Sequence, residues 1–401
     1  MKRFRVVTII FVLSLWMLSP SNLSFVQGET KNISYFLKST IRYSNPSQNR
    51  VWDFTEREED RTIGLFMNNT WQTVELVNST LPLERMETDD DGNPVAVLQF
   101  PESVLNPGES LGFTVWYHIV SKPRLMPNII ESESLSLTDI PTSLVNEYTR
   151  EEGPWQTNNQ TLRELASNLK GSETRVLTII KNFITWIGWY ISYPKERHEN
   201  PYYPNVTYAR REGDCDDQAV LLITLSRIVG IPSYLQVGSI YSPGQLDNAS
   251  YWNGHMSIVE RQIGWHGWAV VYVPPWGWLP VDLTYVRDNP TDPLSSITSG
   301  AVTNQDTIQY MNVTRTDYVN LSLEAEAFLT ENGFQVYTED EMILDIWQDA
   351  NGTPPFIGID PLIPASLAVA IVLPVVILFL ISRRWRKRIA EETPASVSKN
   401  L

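Results

Sequence analysis

One cysteine occurs in 401 residues, Cys215, within Arg211-Glu-Gly-Asp-Cys-Asp-Asp-Gln-Ala-Val-Leu-Leu. A lone thiol forms no internal disulfide and no cysteine-rich zinc cluster, so nucleophilic chemistry is the use its setting favours. Asp214 is a good N-cap, Asp217 three residues later completes a capping box, and Gly230 ahead of Pro232 stops the helix. Cys215 is therefore expected at the first helical position, where the helix dipole favours a thiolate. The rest of that helix is apolar nearly all round and is expected to be buried. Asp214, Asp216 and Asp217 oppose the thiolate by like-charge repulsion, so the pattern calls for a cationic partner, usually histidine.

Four histidines are available. His118 alternates with Tyr117 in an apolar strand and reads as a packed residue, while His198 lies in the polar run Lys195-Glu-Arg-His-Glu. His255 opens a strand-like stretch and stays a second candidate base. His266 is the best placed, in Gly264-Trp-His-Gly-Trp-Ala-Val-Val-Tyr-Val, a period-2 strand that ends at Pro274-Pro275. Gly267 beside it leaves room for close approach. The following arm, Trp278-Leu-Pro-Val-Asp-Leu-Thr, supplies Asp282, an acid able to accept an imidazole N–H and fix its tautomer. Alternation adds a condition: Asp282 shares the face of His266 only if the hairpin connection has an odd number of residues. Five residues pair it with His266 and three pair it with Trp268.

These blocks resemble the transglutaminase-like superfamily. Its G-x-C-x-D/E-x-A block corresponds to Gly213 through Ala219, and the R-x-x-G-I-P ending to Arg227, Gly230, Ile231 and Pro232. H-A-W-x-x-V-Y-V-P is matched from His266 to Pro274, and W-x-P-x-D-P-T from Trp278 to Thr284. The resemblance implies an α+β, papain-like core over 161–290 in which Cys215 attacks an amide carbonyl, His266 shuttles the proton and Asp282 orients the imidazole. Two departures are Gly267 in place of alanine and Leu283 in place of proline, and neither removes a reacting group. A turn with Leu105, Pro107, Gly108, Glu109 and Ser110 is similar to that of archaeal membrane-bound relatives. The oxyanion donor stays open between the Cys215 backbone N–H and a side chain from 186–193. A protein or peptide amide is the expected substrate. Water as acceptor makes a peptidase or amidase, which is the expectation; a lysine or polyamine acceptor makes a cross-linking acyltransferase, and a non-catalytic extracellular binding module is the remaining alternative. Neither cofactor nor metal is expected.

The elements around this core follow from periodicity. Glu173–Tyr190 repeats apolar residues at helical spacing, with Trp186, Trp189 and Tyr190 read as a core stripe. Residues 30–125 alternate short strands (Ile33–Leu37, Val74–Val77, Val95–Phe100, Leu111–Val120) with turn clusters, the rhythm of an antiparallel β-sandwich. Asp89-Asp-Asp-Gly-Asn reads as a hairpin turn, since it lacks the later glutamate of a calcium loop. A linker is expected over 126–160, and an extension and stalk over 291–360 with a helix at Leu321–Asn332.

The ends place the middle. Residues 1–28, with Lys2, Arg3 and Arg5 before an apolar run, read as an export signal, with an uncleaved anchor as the alternative. Leu362–Ile381 carries only Ser366 as a polar side chain, and a basic cluster from Arg383 follows. That is the pattern of a transmembrane helix over 361–382 with a cytoplasmic tail over 383–401. Nine Asn-x-Ser/Thr sites between Asn32 and Asn351 agree with an extracytoplasmic body on a single-pass type I protein. Net charge is −15, and the segment between the two basic ends carries 22 basic against 44 acidic residues, which excludes nucleic acid as a partner. The sequence does not specify an oligomeric state.

Overall fold

The computed structural model describes residues 31–196, 198–285 and 292–345. The expected signal, transmembrane helix and basic tail lie outside them. Among the described residues no helix is long and apolar enough to cross a membrane. The N-terminal part holds β1 (Ile33–Ser44), β2 (Trp52–Asp53), β3 (Thr62–Gly64), β4 (Gln72–Ser79), β5 (Leu83–Thr88), β6 (Pro94–Leu98), β7 (Val104–Leu105) and β8 (Ser110–Ser121). Helices follow: α1 (Thr142–Tyr148), α2 (Gln160–Lys170), α3 (Val176–Tyr190), α4 (Pro204–Arg210) and α5 (Cys215–Ile228). Then come β9 (Ser233–Tyr251), β10 (Met256–Val273), β11 (Gly277–Val281), α6 (Ser295–Thr298), β12 (Thr307–Val313), α7 (Tyr318–Asn332) and β13 (Gln335–Leu344).

β1 and β8 alternate as the period-2 rule requires. Tyr35, Leu37, Ile41 and Tyr43 face the core from β1, and Phe113, Val115, Tyr117 and Ile119 from β8, with Leu37 opposite Tyr117 and Ile41 opposite Phe113. β3, β6 and β5 form a second sheet over that face, tied to it by the Tyr117 hydroxyl donating to Gly64 O at 2.9 Å. The first sheet is not confined to 30–125. It runs β12-β9-β10-β13-β1-β8-β4, with β11 paired on β10, so the N-terminal strands and the strands that follow the cysteine-bearing helix share one mixed sheet in an α+β fold. β13 makes the join: it is parallel to β10 and antiparallel to β1. Residues 292–345, expected as extension and stalk, thus supply two strands of the main sheet as well as the expected helix, α7.

α5 is buried almost throughout because its sequence has no polar face to show water, and it lies against β9 and β10 with α2 and α3 packed on it. Arg227 closes its far end. Its guanidinium lies 4.3 Å from the Trp155 ring centroid and donates to Ser233 O, Arg150 O and Thr314 O at 2.8, 3.3 and 3.0 Å. The aspartate run is a turn, as read. Asp89 Oδ1 accepts from the Asp91 and Asn93 N–H groups, and Asp91 Oδ1 takes the N–H groups of Thr314 and Arg315.

Several carboxyl groups are enclosed away from the cysteine. Burial pushes Asp89 and Asp340 each up to about 7 and Glu59 up to about 9. Groups raised on folding stabilise fully below their unfolded pKa, near 4, and that contribution is lost as pH rises through the folded values. The melting temperature is therefore expected to fall from pH 5 to pH 8, with self-repulsion of the acidic body acting in the same direction. Calorimetry across that range checks it, and a melting temperature that climbs toward pH 8 contradicts it.

Candidate active site

The capping box expected from Asp214 and Asp217 is formed, and it places Cys215 at the first position of α5. The thiol is buried. Burial first, then the fields of Asp214 and Asp216, push it well above its ordinary range, while a hydrogen bond from the Gly267 backbone N–H acts the other way. The dipole-stabilised resting thiolate expected from position alone is therefore replaced by a resting neutral thiol, because desolvation outweighs a half-charge at a helix end. Gly267 allows the close approach of α5 to β10: a Cβ there would lie 3.1 Å from Asp216 Cβ.

The hairpin condition is met. Val273 pairs with Gly277, leaving Pro274, Pro275 and Trp276 as a three-residue connection, and the same register carried one step beyond Val281 sets Asp282 opposite Trp268. Asp282 thus reaches diagonally to His266, whose Nε2 lies 2.8 Å from Asp282 Oδ2, both side chains fully buried. Three backbone N–H groups hold the carboxylate: Ala301 on Oδ2 at 2.9 Å, and Thr284 and Tyr285 on Oδ1 at 3.1 Å each. Burial alone would raise Asp282, but the His266 charge and these hydrogen bonds bring it below the ordinary carboxylate value. An acceptor at Nε2 selects the tautomer with hydrogen on that nitrogen. Nδ1 has no hydrogen bond among the described residues, so its lone pair is available.

The turn carrying Ala301 is itself pinned. The Arg124 guanidinium donates to Val302 O and Thr307 O and sits over the Trp71 ring. Gly300 lies so close to Asp282 that a Cβ would come within 2.7 Å of Asp282 Cβ.

His198 is also in this neighbourhood. Its Nε2 lies 2.9 Å from Asp217 Oδ2 and 3.3 Å from Asp214 Oδ2. Asp216, on the same turn, receives the Tyr318 hydroxyl from α7 at 2.7 Å. Burial, then the charge of and hydrogen bond with Asp214, push Asp216 well up, and burial followed by Asp217 raises Asp214 to about 6. His198 Nε2, Asp214 and Asp217 thus form a close group of one imidazole and two carboxyls at the start of α5.

Of the other histidines, His255 is the residue before β10. It faces Phe334 O through Nδ1 at 2.6 Å, roughly 30 Å along the strand from His266, so the alternative base is placed away from the thiol. His118 packs its ring on Phe36 at 5.0 Å. Trp189 and Tyr190, read as core, are 62% and 57% exposed. Trp186 instead stacks on Tyr190 and Tyr208, with Arg211 over its ring. Sequence reasoning missed the Ala301 N–H, Tyr318 and the partnership of His198 with the helix start. Only His198 carried a signal, as an ionisable side chain in a polar loop.

Comparison with known proteins bears on the same stretch. Residues 163–283 match the model of the transglutaminase-like superfamily. The match is confined to this segment, under half of the chain. No curated protein matches the chain. Among solved structures, a candidate cysteine protease from Cytophaga hutchinsonii is similar at 14% identity, with a TM-score of 0.48, over 79% of this chain and 90% of that one. The periplasmic domain of TgpA from Pseudomonas aeruginosa is also 14% identical, with a TM-score of 0.29, over 68% and 97% of the two chains. Cys215, His266 and Asp282 all lie inside the matched segment, whereas Ala301 and Tyr318, which contact its residues, lie beyond it.

Proposed function

We propose that this chain is a thiol amide hydrolase, a peptidase or amidase, working through a thioester on Cys215. The observation that carries the reading is the Asp282–His266 contact at 2.8 Å, which leaves the opposite ring nitrogen unbonded on the strand against which Cys215 is set. His266 Nδ1 takes the thiol proton as Sγ attacks the amide carbonyl. The tetrahedral oxyanion is received by the Cys215 backbone N–H, one of the donors a helix start leaves unpaired. The C–N bond then breaks, and the amine departs with the proton held on Nδ1. Water, deprotonated by the same nitrogen, hydrolyses the thioester to a carboxylate and restores the thiol.

Water is favoured over an amine acceptor because two tryptophans suited to walling a dry channel are core residues. Trp265 donates to Asp340 Oδ2 at 2.9 Å, and Trp268 is fully buried against Val270 and Val302. We further propose, from the two ends of the sequence and its Asn-x-Ser/Thr sites, that the domain acts outside the membrane on a single C-terminal anchor.

The test incubates full-length protein, alongside Cys215→Ser, with a peptide mixture, ¹⁸O-water and a fluorescent primary amine, read by mass spectrometry. Cys215-dependent products carrying ¹⁸O are expected. Incorporation of the amine instead would make the chain a transferase, and no Cys215-dependent product would leave a binding module. Once a cleaved peptide is in hand, Gly300→Ala is expected to lower kcat/KM about 10²-fold with little change in melting temperature, because displacing Asp282 by a fraction of an ångström misplaces the imidazole. Unchanged kcat/KM would show that the turn does not position the acid.

A further inference from the structure

We propose that His198 is a standing imidazolium that offsets the acidic start of α5 and so makes the Cys215 thiolate attainable. This deepens the hydrolase reading and rests on it. Both ring nitrogens face acceptors. Nδ1 lies 2.7 Å from Asn200 O, a carbonyl that only accepts, so Nδ1 carries hydrogen. Nε2 lies between Asp217 Oδ2 and Asp214 Oδ2. Asp217 also accepts from the Tyr202 N–H on Oδ1 at 2.7 Å and from the Asp214 N–H on Oδ2 at 3.2 Å, donors that favour its charged form although burial opposes it. With hydrogen on Nδ1 and two carboxylates within ion-pair distance of Nε2, a proton on Nε2 as well makes the ring the cation that we infer.

Its surroundings favour that state. The ring stacks on Tyr202 with centroids 4.1 Å apart, and its side chain is 12% exposed, so solvent and salt screen the charge little. Burial pulls the ring down, but the hydrogen bond to Asp217 and the fields of Asp214, Asp217 and Asp216 outweigh it and carry it to about 10. The other charged or titratable groups facing this cluster are Tyr318 of α7, Arg210 over the Tyr202 ring, Glu212, and the His266–Asp282 pair beyond the sulfur.

The consequence is electrostatic. Asp214 is among the groups that hold Cys215 protonated, and the imidazolium is the positive charge in ion-pair contact with it. His198 does not touch the reacting atoms; it is a positioning residue for charge, while His266 is the base. Without it, the carboxylates beside Cys215 stand uncompensated and the thiolate becomes harder to form.

The experiment measures alkylation of the single cysteine by iodoacetamide against pH in the full chain, for the native protein, His198→Gln, His198→Lys and His266→Ala, together with ¹⁵N spectra of the histidines. His198→Gln is expected to move the alkylation midpoint upward by about one pH unit or more, and His198→Lys, which keeps the charge, to restore it. The spectra are expected to show His198 doubly protonated through pH 8. A neutral His198 at pH 7, or one midpoint shared by His198→Gln and the native chain, overturns the proposal. Should His198→Gln fail to fold, the spectra of the native protein decide. Failure of the hydrolase reading looks different: alkylation indifferent to His266→Ala.

Discussion

His266→Ala is expected to reduce kcat/KM for a cleaved peptide about 10⁴-fold while leaving KM and the melting temperature nearly unchanged. The size follows from the resting state of the nucleophile. Burial and two aspartates keep Cys215 a neutral thiol, so a base must remove its proton during attack. Nδ1 of His266 is the nitrogen with a free lone pair on the strand that meets Cys215. In the proposed mechanism that nitrogen moves a proton and makes no contact with bound substrate, so the loss is expected in kcat. Steady-state kinetics on the purified variant check this. A loss confined to KM would mean that His266 holds substrate rather than moves a proton.

Asp282→Asn is expected to cost about 10³-fold in kcat, with a pH signature of its own. Its carboxamide keeps the volume, and its oxygen can still accept from the Thr284 and Tyr285 N–H groups. An NH₂ group then faces His266 Nε2 and favours the tautomer with hydrogen on Nδ1, where the lone pair is needed. Asp282 also affects stability. Its pKa is lowered in the folded protein, so its contribution is present above the unfolded value near 4 and is lost as pH falls through the folded value. The melting temperature of Asp282→Asn is therefore expected to lie below that of the native chain at pH 7 and to converge with it at strongly acid pH. A difference that persists there would mean packing, not charge, is what the carboxylate supplies.

Local patterns made much of the site legible. A capping aspartate and a following apolar run specify where a helix begins, and two period-2 strands around Pro274-Pro275 restrict Asp282 to one face. What escaped was set by partners remote in sequence. Ala301 contributes a backbone N–H, a group every non-proline residue has, so no side chain announces it. The exposure of Trp189 and Tyr190 depends on what covers the end of α3, and helical spacing alone does not say. The level of the thiol was misread because position in a helix was weighed without the desolvation that the surrounding sheet imposes. The four stretches that alternate in the sequence fall on β1, β4, β6 and β8, while β2, β3, β5 and β7 carry no such signal; β1 also hydrogen-bonds to residues 335–344, nearly the whole described chain away, and no local signal reports such a pairing.

That last strand has a consequence for biogenesis. With β13 absent, β1 and β10 would each present a bare edge of unpaired amides and carbonyls, the usual template for intermolecular association. The sheet behind the nucleophile can therefore be completed only after residue 344 has been synthesised, which makes for slow, high-contact-order assembly. A chain ending before 335 is therefore expected to aggregate rather than to fold as a smaller unit.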